Sequence, residues 1–271
     1  MTTFKRNGTI YFHAPKTAGT TITRYLKYDL DLPKRNNREM ENYKGELKLK
    51  HSTELSPEWD YMAHSEDNPK HISVNFYKSK WNDFSECYKL GSVRHPYDWL
   101  YSFWKYHRKL DGGMYNLTND GSVDTFSKWI HWVCDNIDYT RCCQLASNHN
   151  DGSFWFTQYQ FYSNDGTIDG EMEIDDFIKL PHCIKHGTWG TACNLSKCGN
   201  YVELRKLLSD VSHKIFGETK NYDDPNSYPG IRSNISPGEP LEKIYNRKLY
   251  KLVNKVFKKD FEYFKFKMRG D

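Results

Sequence analysis

Residues Thr9 to Asp29 read TIYFHAPKTAGTTITRYLKYD. Four strand-forming residues, Thr9 to Phe12, run into a short loop with Pro15, Lys16 and Gly19, which delivers Thr20 and Thr21 to a helical pattern carried by Ile22, Tyr25 and Leu26. A strand, a tight loop and a helix N-terminus make an anion-binding device. Backbone N–H groups without helical partners converge there, and the helix dipole favours negative charge. The expected guest is a phosphate-type group, and an ordinary βα turn is the plain alternative. The loop departs from the Walker pattern GxxxxGK[ST], whose lysine follows the second glycine. Here Lys16 precedes Gly19, the only glycine of the loop.

Working outward, Tyr88 to Val93 (YKLGSV) reads as a second strand running straight into Arg94, His95 and Pro96. Leu100, Phe103, Trp104 and His107 follow at helical spacing, with Pro96 near the helix start. Arg94 thus sits where a guanidinium can fork onto a phosphate, and Ser102, two turns into the helix, adds a hydroxyl if that face looks inward. Trp59 to His64 (WDYMAH) reads as extended and is followed by a turn. His64 then falls at the carboxyl edge of the sheet, where open α/β proteins place their chemistry, with Glu66 nearby. Both are candidate acid/base groups, against the alternative of a surface-loop histidine.

The remaining elements are coarser. His71 to Phe76 and Phe154 to Tyr162 read as extended, and Glu173 to Leu180 as a strand. Phe126 to Ile137 and Asn200 to Ile215 read as amphipathic helices, and Leu241 to Phe257 as one long closing helix. Tyr222 to Pro240 is a Pro/Gly/Asn-rich loop too long for a simple connector; its Arg232, Ser233, Asn234 and Ser236 suit a nucleotide. His182, Cys183, His186, Cys193 and Cys198 cluster, but their spacing matches no standard zinc knuckle, and no metal is assigned.

The 271 residues, 37% hydrophobic and 27% charged, fit one α/β domain spanning 1–271. The aromatic fraction of 16% indicates core packing, with several of the eight tryptophans to spare for a cleft that stacks on sugars. A net charge of +4 is too mild for a nucleic-acid binder but fits an anionic cosubstrate or an acidic acceptor. No apolar run is long enough for a membrane span, and MTTFKRNG lacks a signal-peptide core. With seven cysteines, an odd number, the expectation is a cytoplasmic protein.

Three motifs stand in one order: HAPKTAGTT at His13 to Thr21, SVRHPYDWLYS at Ser92 to Ser102, and RSNIS at Arg232 to Ser236. That order resembles the sulfotransferases of the carbohydrate type, which include the heparan sulfate 2-O-sulfotransferases and related bacterial and algal enzymes. The resemblance implies a P-loop-like α/β fold with a central, mostly parallel sheet flanked by helices. It also implies 3′-phosphoadenosine-5′-phosphosulfate (PAPS) as cosubstrate, with no metal required. By this likeness Lys16 contacts the oxygen bridging sulfur and the 5′-phosphate, and Thr17, Ala18, Gly19, Thr20 and Thr21 supply backbone and hydroxyl donors. Arg94 and Ser102 grip the 3′-phosphate, and the loop bearing Arg232 and Ser233 covers the nucleotide. Trp99 stands about where relatives commonly carry a further basic residue.

The segment YMAH resembles the one bearing the catalytic histidine, with His64 in the matching place; His13 is the rival base and Glu66 a third. Sulfuryl transfer needs in-line positioning, a base for the incoming oxygen and cations for charge growing on the departing phosphate. The expected acceptor is a hydroxyl, of a carbohydrate first and of a small-molecule alcohol second. Its pocket is expected from Leu32 to Glu54, Lys109 to Ser122 and His182 to Cys198. A nucleotide or nucleoside kinase is the first competing class, disfavoured by the position of Lys16 and by the Arg94 motif. A non-catalytic nucleotide- or sugar-binding protein is the second.

Overall fold

The computed structural model describes residues 4–6, 8–19, 22, 61–62, 73–78, 82–107, 123–140, 142, 155–180, 199–222 and 240–270. Five strands form one sheet: β1 (Phe4–Arg6), β2 (Thr9–Phe12), β3 (Tyr61–Met62), β4 (Tyr88–Val93) and β5 (Asp176–Lys179), in the order β3-β1-β2-β4-β5. The centre is parallel: Thr9 to Phe12 pair with Tyr88 to Gly91, and Leu90 to Val93 pair with Asp176 to Lys179. Parallel strands buried on both faces read as apolar runs, and β2 is buried at all four positions. β1 pairs antiparallel with β2 and β3 antiparallel with β1, so that of the five strands only β1 runs against the rest. The sequence reading begins the sheet at Thr9; the structure adds β1 before it, paired with β2 so that Arg6 lies opposite Thr9, with Gly8 at φ +70°.

Helices among the described residues are α1 (Val74–Lys78), α2 (Pro96–His107), α3 (Val123–Asp135), α4 (Gln158–Tyr162), α5 (Gly199–Phe216), α6 (Leu241–Ile244), α7 (Arg247–Val256) and α8 (Lys258–Phe264). None of them is long and apolar enough to cross a membrane. Three expectations are corrected. The stretch expected to be extended over His71 to Phe76 turns helical at Val74. That over Phe154 to Tyr162 becomes α4 from Gln158, because Thr157 and Gln160 form a reciprocal capping box: Thr157 Oγ1 accepts the Gln160 N–H and Gln160 Oε1 accepts the Thr157 N–H. The single closing helix expected over Leu241 to Phe257 is two, α6 and α7, since Asn246 caps α7 by accepting the Leu249 N–H at 3.0 Å, and α8 follows it.

Aromatic side chains fill the core in edge-to-face contacts, Trp99 on Phe103 at 5.0 Å, Trp129 on Trp155 at 5.4 Å and Phe126 on Tyr245 at 5.0 Å. Trp99, Trp104, Trp129 and Trp155 are fully buried, and Trp132 packs against the same core. The tryptophans expected to be spare for a sugar cleft are therefore structural as far as they are described. Trp59, Trp81 and Trp189 lie outside the described residues.

Candidate active site

Because β2 and β4 are adjacent and parallel, the loops that leave their carboxyl ends emerge side by side. The first runs from His13 to Gly19. Lys16 and Ala18 take the left-handed conformation, φ 62° and 56°, while Thr17 between them does not. Such alternation curls successive N–H groups toward a common point, the geometry of an anion nest, and it costs about 1–2 kcal/mol at each non-glycine residue. Gly19 is helical, as is Ile22, whose N–H donates to the Ala18 carbonyl at 3.0 Å.

The strained turn is held from three sides. Beneath it lies a chain of buried hydroxyls. Thr17 Oγ1 donates to the Ala14 carbonyl at 2.8 Å and lies 2.8 Å from Ser92 Oγ, which lies 2.9 Å from the Tyr11 hydroxyl. Each hydroxyl has one proton, so with Thr17 committed to Ala14 the chain runs Tyr11 to Ser92 to Thr17. Burial pushes the Tyr11 phenol well up, which keeps it a donor. The Tyr162 hydroxyl donates to the Ser92 carbonyl at 2.6 Å. From α2, the Trp99 indole N–H donates to the Pro15 carbonyl at 2.8 Å. Trp99→Phe keeps most of the ring but leaves that buried carbonyl without its donor, and should cost about 1–3 kcal/mol in denaturant unfolding.

Arg94 holds the third side. Its guanidinium is buried and donates through Nη1 to the Lys16 carbonyl at 3.2 Å. Burial lowers its pKa, and Asp98, one turn along α2, opposes the shift and keeps the cation. Its backbone is clamped by Gln158, which accepts the Arg94 N–H at 2.8 Å and donates to the Arg94 carbonyl at 2.7 Å. His95 is structural instead, sitting among Tyr97, Phe261 and Phe266 and bonding the Lys267 carbonyl at 3.0 Å.

Trp99, Ser102 and Tyr106 stand at i, i+3 and i+7 on α2, one stripe that faces the loop. Trp99 reaches Pro15, and the Lys16 ammonium lies 4.2 Å over the Tyr106 ring. Ser102, half-buried between them, therefore belongs to the loop-facing side. His13 is buried, its ring 6.4 Å from that of Tyr11 and pressed against Gly19.

Lys16, Thr17, Ala18, Gly19, Arg94, Ser102 and His13 are thus brought together. Thr20, Thr21, His64, Glu66, Arg232 and Ser233 lie outside the described residues, as do the three segments expected to shape the acceptor pocket and the His182 to Cys198 cluster. Among the described residues no group of His, Cys, Asp or Glu is arranged to hold a metal ion. Sequence reasoning missed the supporting residues Asp260 and Tyr106 and gave no role to Ser92, the first residue of the second motif, or to Gln158, which resembles a family feature; the Thr157–Gln160 capping box is a readable signal that Gln158 opens a helix.

Asp260 of α8 is fully buried and accepts the N–H groups of Gln158 and Tyr159 at 3.1 and 2.8 Å. Burial raises its pKa to about 7, against the lowering effect of those hydrogen bonds. The folded protein then holds a proton that the unfolded chain has released, so this stabilisation is complete below the ordinary carboxylate range and is lost as pH rises through about 7. Stability should fall by up to about 1.4 kcal/mol per pH unit across that window, and Asp260→Asn should flatten the decline in denaturant titrations.

The α/β sheet thus brings a turn with the geometry of an anion nest and a buried arginine side by side at its carboxyl edge. Residues 1–169 of the 271 match the profile of the Sulfotransferase family, and the chain belongs to that family. No curated protein and no solved structure matches it.

Proposed function

We propose that the protein transfers a sulfuryl group from PAPS to an acceptor hydroxyl, of a carbohydrate or, second, of a small-molecule alcohol. The observation that carries the reading is the hydrogen bond from Arg94 Nη1 to the Lys16 carbonyl, which makes the nest and the arginine one unit. The residues present fit the nucleotide. The turn from Lys16 to Gly19, continued by Thr20 and Thr21, would hold the 5′-phosphosulfate. Arg94 and Ser102 would hold the 3′-phosphate, with Arg232 and Ser233 covering it. PAPS supplies the sulfuryl group and a phosphate leaving group.

Lys16 brings a movable positive charge to the developing phosphate, and its place over Tyr106 keeps that charge beside the turn. His64, as a neutral imidazole, takes the acceptor's proton, worth about 10²- to 10⁴-fold. His13, buried against Gly19, serves the shape of the loop.

Transfer of labelled sulfate from PAPS across a panel of sugars and alcohols tests this. His64→Ala should abolish transfer and leave adenosine 3′,5′-bisphosphate binding nearly intact. Full activity in that variant moves the base to His13 or Glu66.

A further inference from the structure

Arg94 is held in place from the far end of the chain. The Asp260 carboxylate uses both oxygens on the first turn of α4, Oδ2 accepting the Gln158 N–H and Oδ1 the Tyr159 N–H, across 102 and 101 residues of sequence. Gln158 in turn takes Arg94 at both backbone groups, across 64 residues. Each link is made at two points, so neither Gln158 nor Arg94 can pivot about a single bond. Asp260 and Gln158 are fully buried, which keeps water from substituting for either partner. The last link is the guanidinium itself, bonded to the Lys16 carbonyl.

We propose that Asp260 is a positioning residue for nucleotide binding: through the Gln158 amide it sets the direction in which Arg94 presents its guanidinium, and with it the preference for a 3′-phosphate. This rests on the reading of Arg94 as the 3′-phosphate ligand. Asp260 lies beyond residues 1–169, the part that matches the family. A carboxylate that only capped α4 would contribute stability and leave ligand preference alone. The double clamp onto Arg94 makes preference the quantity at stake.

The test compares adenosine 3′,5′-bisphosphate with adenosine 5′-monophosphate, which lacks only the 3′-phosphate, by calorimetry at one fixed alkaline pH. Asp260→Asn turns an amide N–H toward one of the two backbone donors. Gln158→Glu keeps the two backbone N–H donors to Asp260, removes the side-chain amide that also bonds Asp260, and sets a carboxylate oxygen against the Arg94 carbonyl. In each variant the dissociation constant for the bisphosphate should rise about tenfold while that for the monophosphate changes less than about twofold. The double variant should lose no more than the worse single one, because both act through one clamp. In turnover, KM for PAPS should rise with kcat nearly unchanged.

An unchanged ratio of the two affinities, or equal losses for both ligands, overturns the proposal. If Asp260→Asn does not fold, Gln158→Glu decides alone, and a wild-type ratio there overturns it. A wild-type protein that does not prefer the bisphosphate contradicts the assignment of Arg94 itself, before any variant is compared.

Discussion

Lys16→Ala should lower sulfuryl transfer by about 10²- to 10³-fold while leaving the fold intact. The lysine's structural work is done by its backbone, which takes φ 62° and offers its carbonyl to Arg94. Alanine meets the same backbone cost and keeps the same carbonyl, so unfolding stability should change by less than about 0.5 kcal/mol. What is lost is the ammonium, which lies 4.2 Å over the Tyr106 ring at the end of a half-buried side chain. A charge that serves mainly the leaving group acts in the transition state, so kcat should fall far more than KM for PAPS rises. Lys16→Arg should not restore the rate, since a planar fork on a longer stem cannot reproduce a compact point charge. Steady-state transfer of labelled sulfate checks this, and a Lys16→Ala enzyme with more than about a tenth of the wild-type kcat removes Lys16 from the chemistry.

Gly19→Ala should disable the loop from inside. A Cβ there would stand 1.8 Å from His13 Cδ2 and 2.1 Å from its Nε2, closer than any real contact. His13 is buried, so the ring cannot simply swing into solvent. Overpacking of this kind costs about 1–3 kcal/mol, and the displaced turn should lose its ligand at the same time. Removing the ring should relieve the collision, so His13→Ala combined with Gly19→Ala should recover bisphosphate binding, with a coupling of about 0.5–3 kcal/mol between the sites. The double variant also bears on the base. If His64 takes the proton, it transfers sulfate once it binds; if His13 does, it binds and does not turn over.

The parts of this site that were legible in the sequence are those written in contiguous residues. The strands Thr9–Phe12 and Tyr88–Val93 have the bounds that their apolar runs indicate, and the loops after them follow. What was hidden depends on distance along the chain. Gln158 meets Arg94 across 64 residues and Asp260 meets Gln158 across 102, and no local pattern announces either pairing. Trp99 read as a departure from a basic position, yet its indole N–H holds the Pro15 carbonyl, a role visible only once α2 lies against the loop. The stretch Phe154 to Tyr162 looked extended because its aromatic residues favour strands, and the capping box at Thr157 and Gln160 outweighs that preference.

The central claim is that the turn at Lys16 and the arginine at Arg94 together bind a nucleotide carrying a 3′-phosphate. Calorimetric titration of the wild-type protein with adenosine 3′,5′-bisphosphate and with ATP tests it most directly. The account predicts tight, saturable binding of the bisphosphate and much weaker binding of ATP. Tight binding of ATP with no response to the bisphosphate would contradict it.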